Sequence, residues 1–264
     1  MEKLDGMSIL VGTARCNAQC PECAGTQHQK DAPQRDGELD DSRLREALDF
    51  CLTRDCRYIT LTGSGEPTLS PLAISRSLLL LYEYEMRGKK FHPINLYTNG
   101  IRIGRDRVFC EKYLPRWLSW GLSAIYVSVY SADENRNAKA LGRRLYPSFD
   151  TIFKRIKSYG FKLRVNVVLK KGYVDRREKF EDLCKKFFAI GVNTITAWQL
   201  RDENNHVSPL APDGTVLADI RMFANANPTL PLRLLWGENA DKEHGRKIAL
   251  FQNGELSDEW CKKR

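Results

Sequence analysis

Residues 149–169 read FDTIFKRIKSYGFKLRVNVVL, a helix signature followed at once by a strand signature. Phe149, Ile152, Phe153 and Ile156 stand at i, i+3, i+4 and i+7 and make one apolar helix face. Gly160 follows where a left-handed C-cap is wanted, and Leu163 to Leu169 is a short β-rich run. The same alternation repeats outward from this unit. Ser8 to Gly12, Tyr58 to Thr62, Ile94 to Tyr97, Ala124 to Val129 and Thr194 to Leu200 are further β-rich runs. Between them, Leu44, Ala47, Leu48 and Cys51 repeat the helical spacing, as do Phe180, Leu183, Cys184 and Phe187 before Gly191.

Strands alternating with helices at these distances imply parallel strands joined by right-handed crossovers. Six such units fall short of the eight that close a barrel. The expected fold is therefore α/β, a partial (β/α)6 TIM-like barrel open on one side, with a doubly wound sheet as the competing arrangement. Either fold places chemistry at the carboxyl ends of its strands. After His206 the pattern changes, with Pro209, Pro212, Pro228 and Pro231 ahead of an expected hairpin at Lys247 to Leu256 around Asn253-Gly254. The expected organisation is a barrel over 1–205 and a short C-terminal appendage over 206–264, packed on the barrel and covering its substrate side.

The whole chain has 264 residues, 42% hydrophobic and 28% charged, which is ordinary globular composition. Its net charge of +9 comes from 42 basic and 33 interspersed acidic residues, which excludes a histone-like tail. The longest apolar stretches, such as Leu78 to Leu81, are far below the roughly 20 residues of a membrane span. The first residues lack the apolar core of a secretory signal, so the expected location is the cytoplasm and the eight cysteines are expected as ligands or core residues.

Cys16-Asn-Ala-Gln-Cys20-Pro-Glu-Cys23 puts three thiols in one loop directly after the first strand. A loop offers no core to fill, and exposed thiols are oxidised readily, so packing does not account for them. Two readings stay open on the residues alone. One is a structural zinc site completed by His28, in a nucleic-acid-binding protein. The other is an iron–sulfur cluster on three thiolates, with one iron left open to a ligand.

The Cys-x3-Cys-x2-Cys spacing after the first strand resembles that of the radical S-adenosylmethionine (SAM) enzymes. So does the second strand, which runs into Gly63-Ser64-Gly65-Glu66-Pro67, similar to the Gly-Gly-Glu-Pro segment of that family. The resemblance continues through Tyr97-Thr98-Asn99-Gly100, through Tyr126 to Ser131 and through Leu141-Gly142-Arg143, covering about Ser8 to Arg201. It implies one [4Fe–4S] cluster on Cys16, Cys20 and Cys23, with Gly65 and Glu66 at the SAM ammonium. Ser128 and Asn166 would meet the ribose, and Arg143, whose neighbour Arg144 looks equivalent, the carboxylate.

The implied activity is reductive cleavage of SAM to methionine and a 5′-deoxyadenosyl radical that abstracts hydrogen from an unidentified substrate. An electron donor such as a flavodoxin or ferredoxin is implied with it. Two residues depart from the family pattern: Glu22 stands where an aromatic is common, and Ser64 where a glycine is. Tyr130, Gln199 and Arg201, at the ends of the fourth and sixth strands, are the expected substrate-side residues. Cys51, Cys56, Cys110, Cys184 and Cys261 are too scattered for a second four-thiolate cluster. The basic excess, which includes Lys170, Lys171, Arg176 and Arg177, is assigned mostly to outer helices. No nucleic-acid module accompanies it, so nucleic acid is not the favoured partner.

Overall fold

The computed structural model describes residues 3–38, 40–202, 204–236 and 245–258. Six strands fall within a residue or two of the expected runs: β1 (Gly6–Leu10), β2 (Ile59–Thr62), β3 (Ile94–Thr98), β4 (Leu122–Val129), β5 (Lys162–Leu169) and β6 (Thr194–Gln199). Each is parallel to the next, in sequence order across the sheet. This is the open partial barrel, and the doubly wound alternative, in which the strand order would reverse, is not what the chain forms.

The helices between the strands are α1 (Asp41–Thr53), α2 (Pro71–Met86), α3 (Ile101–Arg105), α4 (Arg107–Ser119), α5 (Glu134–Ala140), α6 (Phe149–Ser158) and α7 (Arg177–Ile190). Leu44, Ala47, Leu48 and Cys51 of α1 are buried, as are Phe149, Ile152, Phe153 and Ile156 of α6. Phe180, Leu183, Cys184 and Phe187 of α7 are buried too, and Gly191 caps that helix with φ +94°. The core lies between these faces and the outward face of the sheet, where Leu96, Ile125, Val127, Val165, Val167 and Ala197 are all 0% exposed. Cys56 and Cys110 are buried in the same core, whereas Cys261 lies outside the described residues.

Beyond His206 the chain adds more to the sheet than a hairpin. Helix α8 (Gly214–Ala226) leads into β7 (Leu232–Leu235), which pairs in parallel with β6 and completes a seventh β/α unit. Pro212 precedes the Asp213 N-cap of α8, and Pro228 and Pro231 lie between α8 and β7, so these prolines mark boundaries and break nothing. The expected hairpin exists as β8 (Lys247–Leu250) and β9 (Leu256–Ser257), antiparallel about Gly254 at φ +83°. Strand β8 also pairs in parallel with β1 from Gly6 to Ile9, so among the described residues one sheet runs β7-β6-β5-β4-β3-β2-β1-β8-β9. None of the helices among the described residues is long and apolar enough to cross a membrane.

Candidate active site at the carboxyl ends of the strands

Cys16, Cys20 and Cys23 lie in the loop leaving β1, Cys16 exposed and the other two half-buried. The loop is held from three directions. Glu66 N–H donates to Arg15 O at 3.0 Å, Gln19 N–H donates to Leu141 O at 2.8 Å, and Asn99 Nδ2 donates to Asn17 Oδ1 at 2.7 Å. Two glycines make this approach feasible. A Cβ on Gly65 would overlap Arg15 O, and one on Gly142, whose φ is +61°, would overlap Gln19 O. The glycine-rich turn after β2 and the Leu141–Arg143 turn therefore both press on the cysteine loop.

The thiols form one electrostatic group. Burial raises Cys16 to about 11, opposed by the Ala18 N–H that its sulfur accepts at 3.4 Å and reinforced by the charges of Glu66 and Cys23. Burial likewise raises Cys20 to about 12, with Cys23 and then Cys16 adding to it. Thiols that disfavour one another's ionisation are groups a bound cation would stabilise. No three His, Cys, Asp or Glu side chains among the described residues meet at the spacing of a single-ion site. An iron–sulfur cluster spreads its thiolates over separate irons, and that donor set fits this loop. His28 is drawn elsewhere: it is 1% exposed and packs at a tilt on the Phe251 ring, centroids 4.8 Å apart.

Glu66 is 4% exposed. Its Oε1 accepts from Thr68 N–H at 3.0 Å, Thr68 Oγ1 at 2.7 Å and Thr98 Oγ1 at 2.5 Å, and its Oε2 accepts from Asn99 N–H at 2.8 Å. Burial raises its pKa, and these donors oppose the rise. The carboxylate thus ties the end of β2 to the end of β3, while Oε2, with one donor, keeps room for another.

Ser128 and Asn166 are register partners on β4 and β5, on the concave face. Asn166 is 2% exposed and its Nδ2 has no acceptor at full hydrogen-bond geometry, although its side chain is a weak hydrogen-bonding neighbour of the Tyr97 hydroxyl. The exposed Arg143 follows the turn that touches the cysteine loop, its backbone N–H on Ala138 O at 2.8 Å. Of the expected substrate-side residues, Tyr130 lies against the cysteine loop, where Cys20, Cys23 and Glu22 act on its hydroxyl. Gln199 ends β6 opposite Leu169, and Arg201 donates from Nη1 to Asn205 O at 2.6 Å within its own loop.

Lys170, assigned with the outer basic residues from sequence, is 8% exposed at the end of β5 and pairs with Glu22 at 2.5 Å. The residue that departs from the family's aromatic thereby ties the cysteine loop to the far strand. Asn99 also has a larger part than sequence reading assigned it, since it bonds both Asn17 and Glu66. Its place in the turn after β3 was the available signal.

The profile of the Radical SAM superfamily matches residues 10–197, the six-stranded region that carries this site. The chain belongs to the radical SAM superfamily. Among curated relatives, GTP 3′,8-cyclase of Aquifex aeolicus (strain VF5) is 29% identical over 182 residues, 68% of this chain and 52% of the relative. Molybdenum cofactor biosynthesis protein moc-5 of Caenorhabditis elegans is 26% identical over 162 residues, 60% of this chain and 24% of the relative. The chain thus spans about half or less of these relatives.

Among solved structures, SuiB of Streptococcus suis bound to precursor peptide SuiA has a TM-score of 0.68 at 14% identity, covering 97% of this chain and 60% of that one. A radical SAM methyltransferase from Sphaerobacter thermophilus has a TM-score of 0.58 at 16% identity, covering 96% and 70%. At such identities the likeness shows the fold. The chain is a radical SAM enzyme, and SuiB has also been solved with S-adenosylmethionine bound.

Proposed function

We propose that this radical SAM enzyme holds a [4Fe–4S] cluster on Cys16, Cys20 and Cys23 and cleaves SAM reductively to act on a substrate inside the barrel. The observation that carries the reading is the clamped loop: three thiols within eight residues, pinned against Gly65, Glu66 and Gly142 at the carboxyl ends of the strands. When bound, the cluster supplies the electron that splits SAM into methionine and a 5′-deoxyadenosyl radical, which takes hydrogen from the substrate.

The protein's part is holding and orienting. Glu66 Oε2 accepts from the SAM ammonium while its other bonds keep the carboxylate rigid. Arg143 grips the carboxylate, for which a guanidinium offers two parallel donors. Ser128 and Asn166, side by side in register, meet the ribose hydroxyls, and the buried Asn166 Nδ2 gains an acceptor there. The electron comes from a flavodoxin- or ferredoxin-type donor. Only one cluster is proposed, because Cys51, Cys56, Cys110 and Cys184 are all buried in the core.

Anaerobically purified protein, reduced with dithionite and given SAM, tests the reading. Brown protein with about four irons that releases 5′-deoxyadenosine supports it. Colourless protein with one zinc and no 5′-deoxyadenosine overturns it in favour of the zinc reading.

A further inference from the structure

The two faces of the central strands differ sharply. Leu96, Ile125, Val127, Val165 and Val167, which face the helices, are apolar and fully buried, whereas Tyr97, Ser128 and Arg164, which face the barrel lumen, stay partly exposed in the middle of the sheet. The lumen is lined by polar groups, some of them buried, such as Asn95 and Asn166 at 0% and 2% exposed, and some in partial contact with solvent, such as Tyr97, Ser128 and Arg164. Following the register from β8 through β1 to β7, no lumen-facing strand position is Asp or Glu, yet Arg164, Arg233 and Lys247 all occupy that face. Strand walls of one sign concentrate ions of the other.

Arg164 is the best-placed of these cations. Its guanidinium lies 5.1 Å from the centre of the Tyr126 ring, and its Nη1 donates to the Tyr126 hydroxyl. Tyr126 in turn stacks on Tyr97 at 4.7 Å and meets the Tyr58 hydroxyl at 3.3 Å. The guanidinium is thus fixed on an aromatic shelf, which lowers the entropy lost on binding. Its Nε is buried with no acceptor. Asn95, on the same face and 0% exposed, has both amide atoms without partners. Buried polar atoms left without partners are groups that a ligand or water satisfies.

The other two cations converge on the same place. Arg233 and Arg164 both act on the Tyr97 hydroxyl, and Lys247 lies over the Tyr58 ring at 5.4 Å. Lys247 is held below the usual lysine value by burial first and by the charge of Arg233 second, with the Asp5 carboxylate opposing, so β7 and β8, from the two sides of the sheet, bring these cations within each other's field.

We propose that the lumen binds an oxyanion group of the substrate, phosphate or carboxylate, with Arg164 on its tyrosine shelf as the principal contact and Arg233 and Lys247 adding charge. The proposal deepens the reading above by naming the substrate's chemistry, and it rests on that reading only for what is done to the substrate. A guanidinium presents parallel donors to either anion, and neighbouring tyrosine hydroxyls add neutral ones.

Calorimetric titration of the full chain with sodium tripolyphosphate and, separately, with sodium citrate tests it without SAM turnover. Saturable binding is expected, about tenfold or more weaker in Arg164→Gln because a charge-assisted bond is lost. Arg176→Gln/Arg177→Gln, which removes two cations from outside the barrel, should stay within about twofold because exposed charges at that distance are screened. Should Arg164→Gln fail to fold, Tyr126→Phe keeps the guanidinium but removes the hydroxyl that orients it, with about a threefold to tenfold loss expected for one neutral bond.

Tighter binding of tripolyphosphate assigns a phosphate-bearing substrate, and tighter binding of citrate a carboxylate. Binding of neither, or equal loss in the Arg164 and Arg176/Arg177 variants, overturns the proposal. Absence of 5′-deoxyadenosine in the parent protein would overturn the SAM reading and leave this calorimetric result standing.

Discussion

Glu66→Gln separates two jobs that one carboxylate is given. In SAM-free protein the substitution keeps the size of the side chain but turns one oxygen into an NH2 group. If the amide nitrogen takes the place of Oε2, it faces the Asn99 N–H at 2.8 Å, donor against donor. If the amide flips, the same conflict falls on Thr68, which is 0% exposed and supplies both a backbone N–H and a hydroxyl. Either way a bond to a charged acceptor is lost, about 1.5 to 3 kcal/mol, and a donor left buried adds about 1 to 3 kcal/mol. The total of about 2.5 to 6 kcal/mol is a large share of a typical domain's stability. At about 2 to 4 °C per kcal/mol the melting temperature should fall by about 5 to 24 °C. Thermal unfolding of the metal-free chain under reducing conditions, followed by circular dichroism, reads this directly. A melting temperature within a degree of the parent would refute the inference that Glu66 ties β2 to β3. SAM affinity, measured on folded holoprotein at a lower temperature, should fall about tenfold to a hundredfold for the ammonium contact, with iron content unchanged.

Cys16→Ala, Cys20→Ala and Cys23→Ala should each abolish 5′-deoxyadenosine release, while Cys184→Ala, in the α7 core, should retain it and lose about 1 kcal/mol of stability; product from any of the first group would remove that residue from the ligand set. Gly142→Ala should depress iron uptake on reconstitution, because its Cβ would overlap Gln19 O in the cysteine loop. Gly172→Ala carries the same backbone strain at φ +82° with no atom within 4 Å, so equal iron loss in both would show that strain alone is responsible. Deleting Lys247 to Arg264 should abolish cooperative unfolding, since β8 is the parallel neighbour of β1 and Ile248 and Leu250 are 6% and 3% exposed. A truncated chain that melts cooperatively would return this segment to substrate recognition.

Local pattern found the central strands because each is a short apolar run between helices whose faces repeat at helical spacing. It also found the cysteine loop and the glycine-rich turn, because three cysteines in one loop stand out by type and close backbone approach demands glycine. The seventh unit escaped it: Leu217, Ile220 and Phe223 form the buried stripe of α8, but the prolines on either side look like interruptions until the helix is seen to begin at Asp213. Strand β8 was legible as half of a hairpin, whereas its pairing with β1 joins residues about 240 positions apart and leaves no local periodicity. Lys170 looked like one more basic residue, and only the fold brings it to Glu22 across 148 positions.

By itself the sequence determined the family, the open parallel architecture, and the one loop that holds three thiols with a glycine-rich, acid-bearing turn at the end of the next strand, because those properties are set by residue type and short-range spacing. Only the tertiary structure decided what each side chain faces. It turned Glu66 into a fourfold acceptor between two strand ends, set His28 against Phe251 and gathered Arg164, Arg233 and Lys247 on one lumen. The physical reason is that strand alternation fixes which face a residue joins, but which distant residues share that face depends on the register and curvature of the whole sheet.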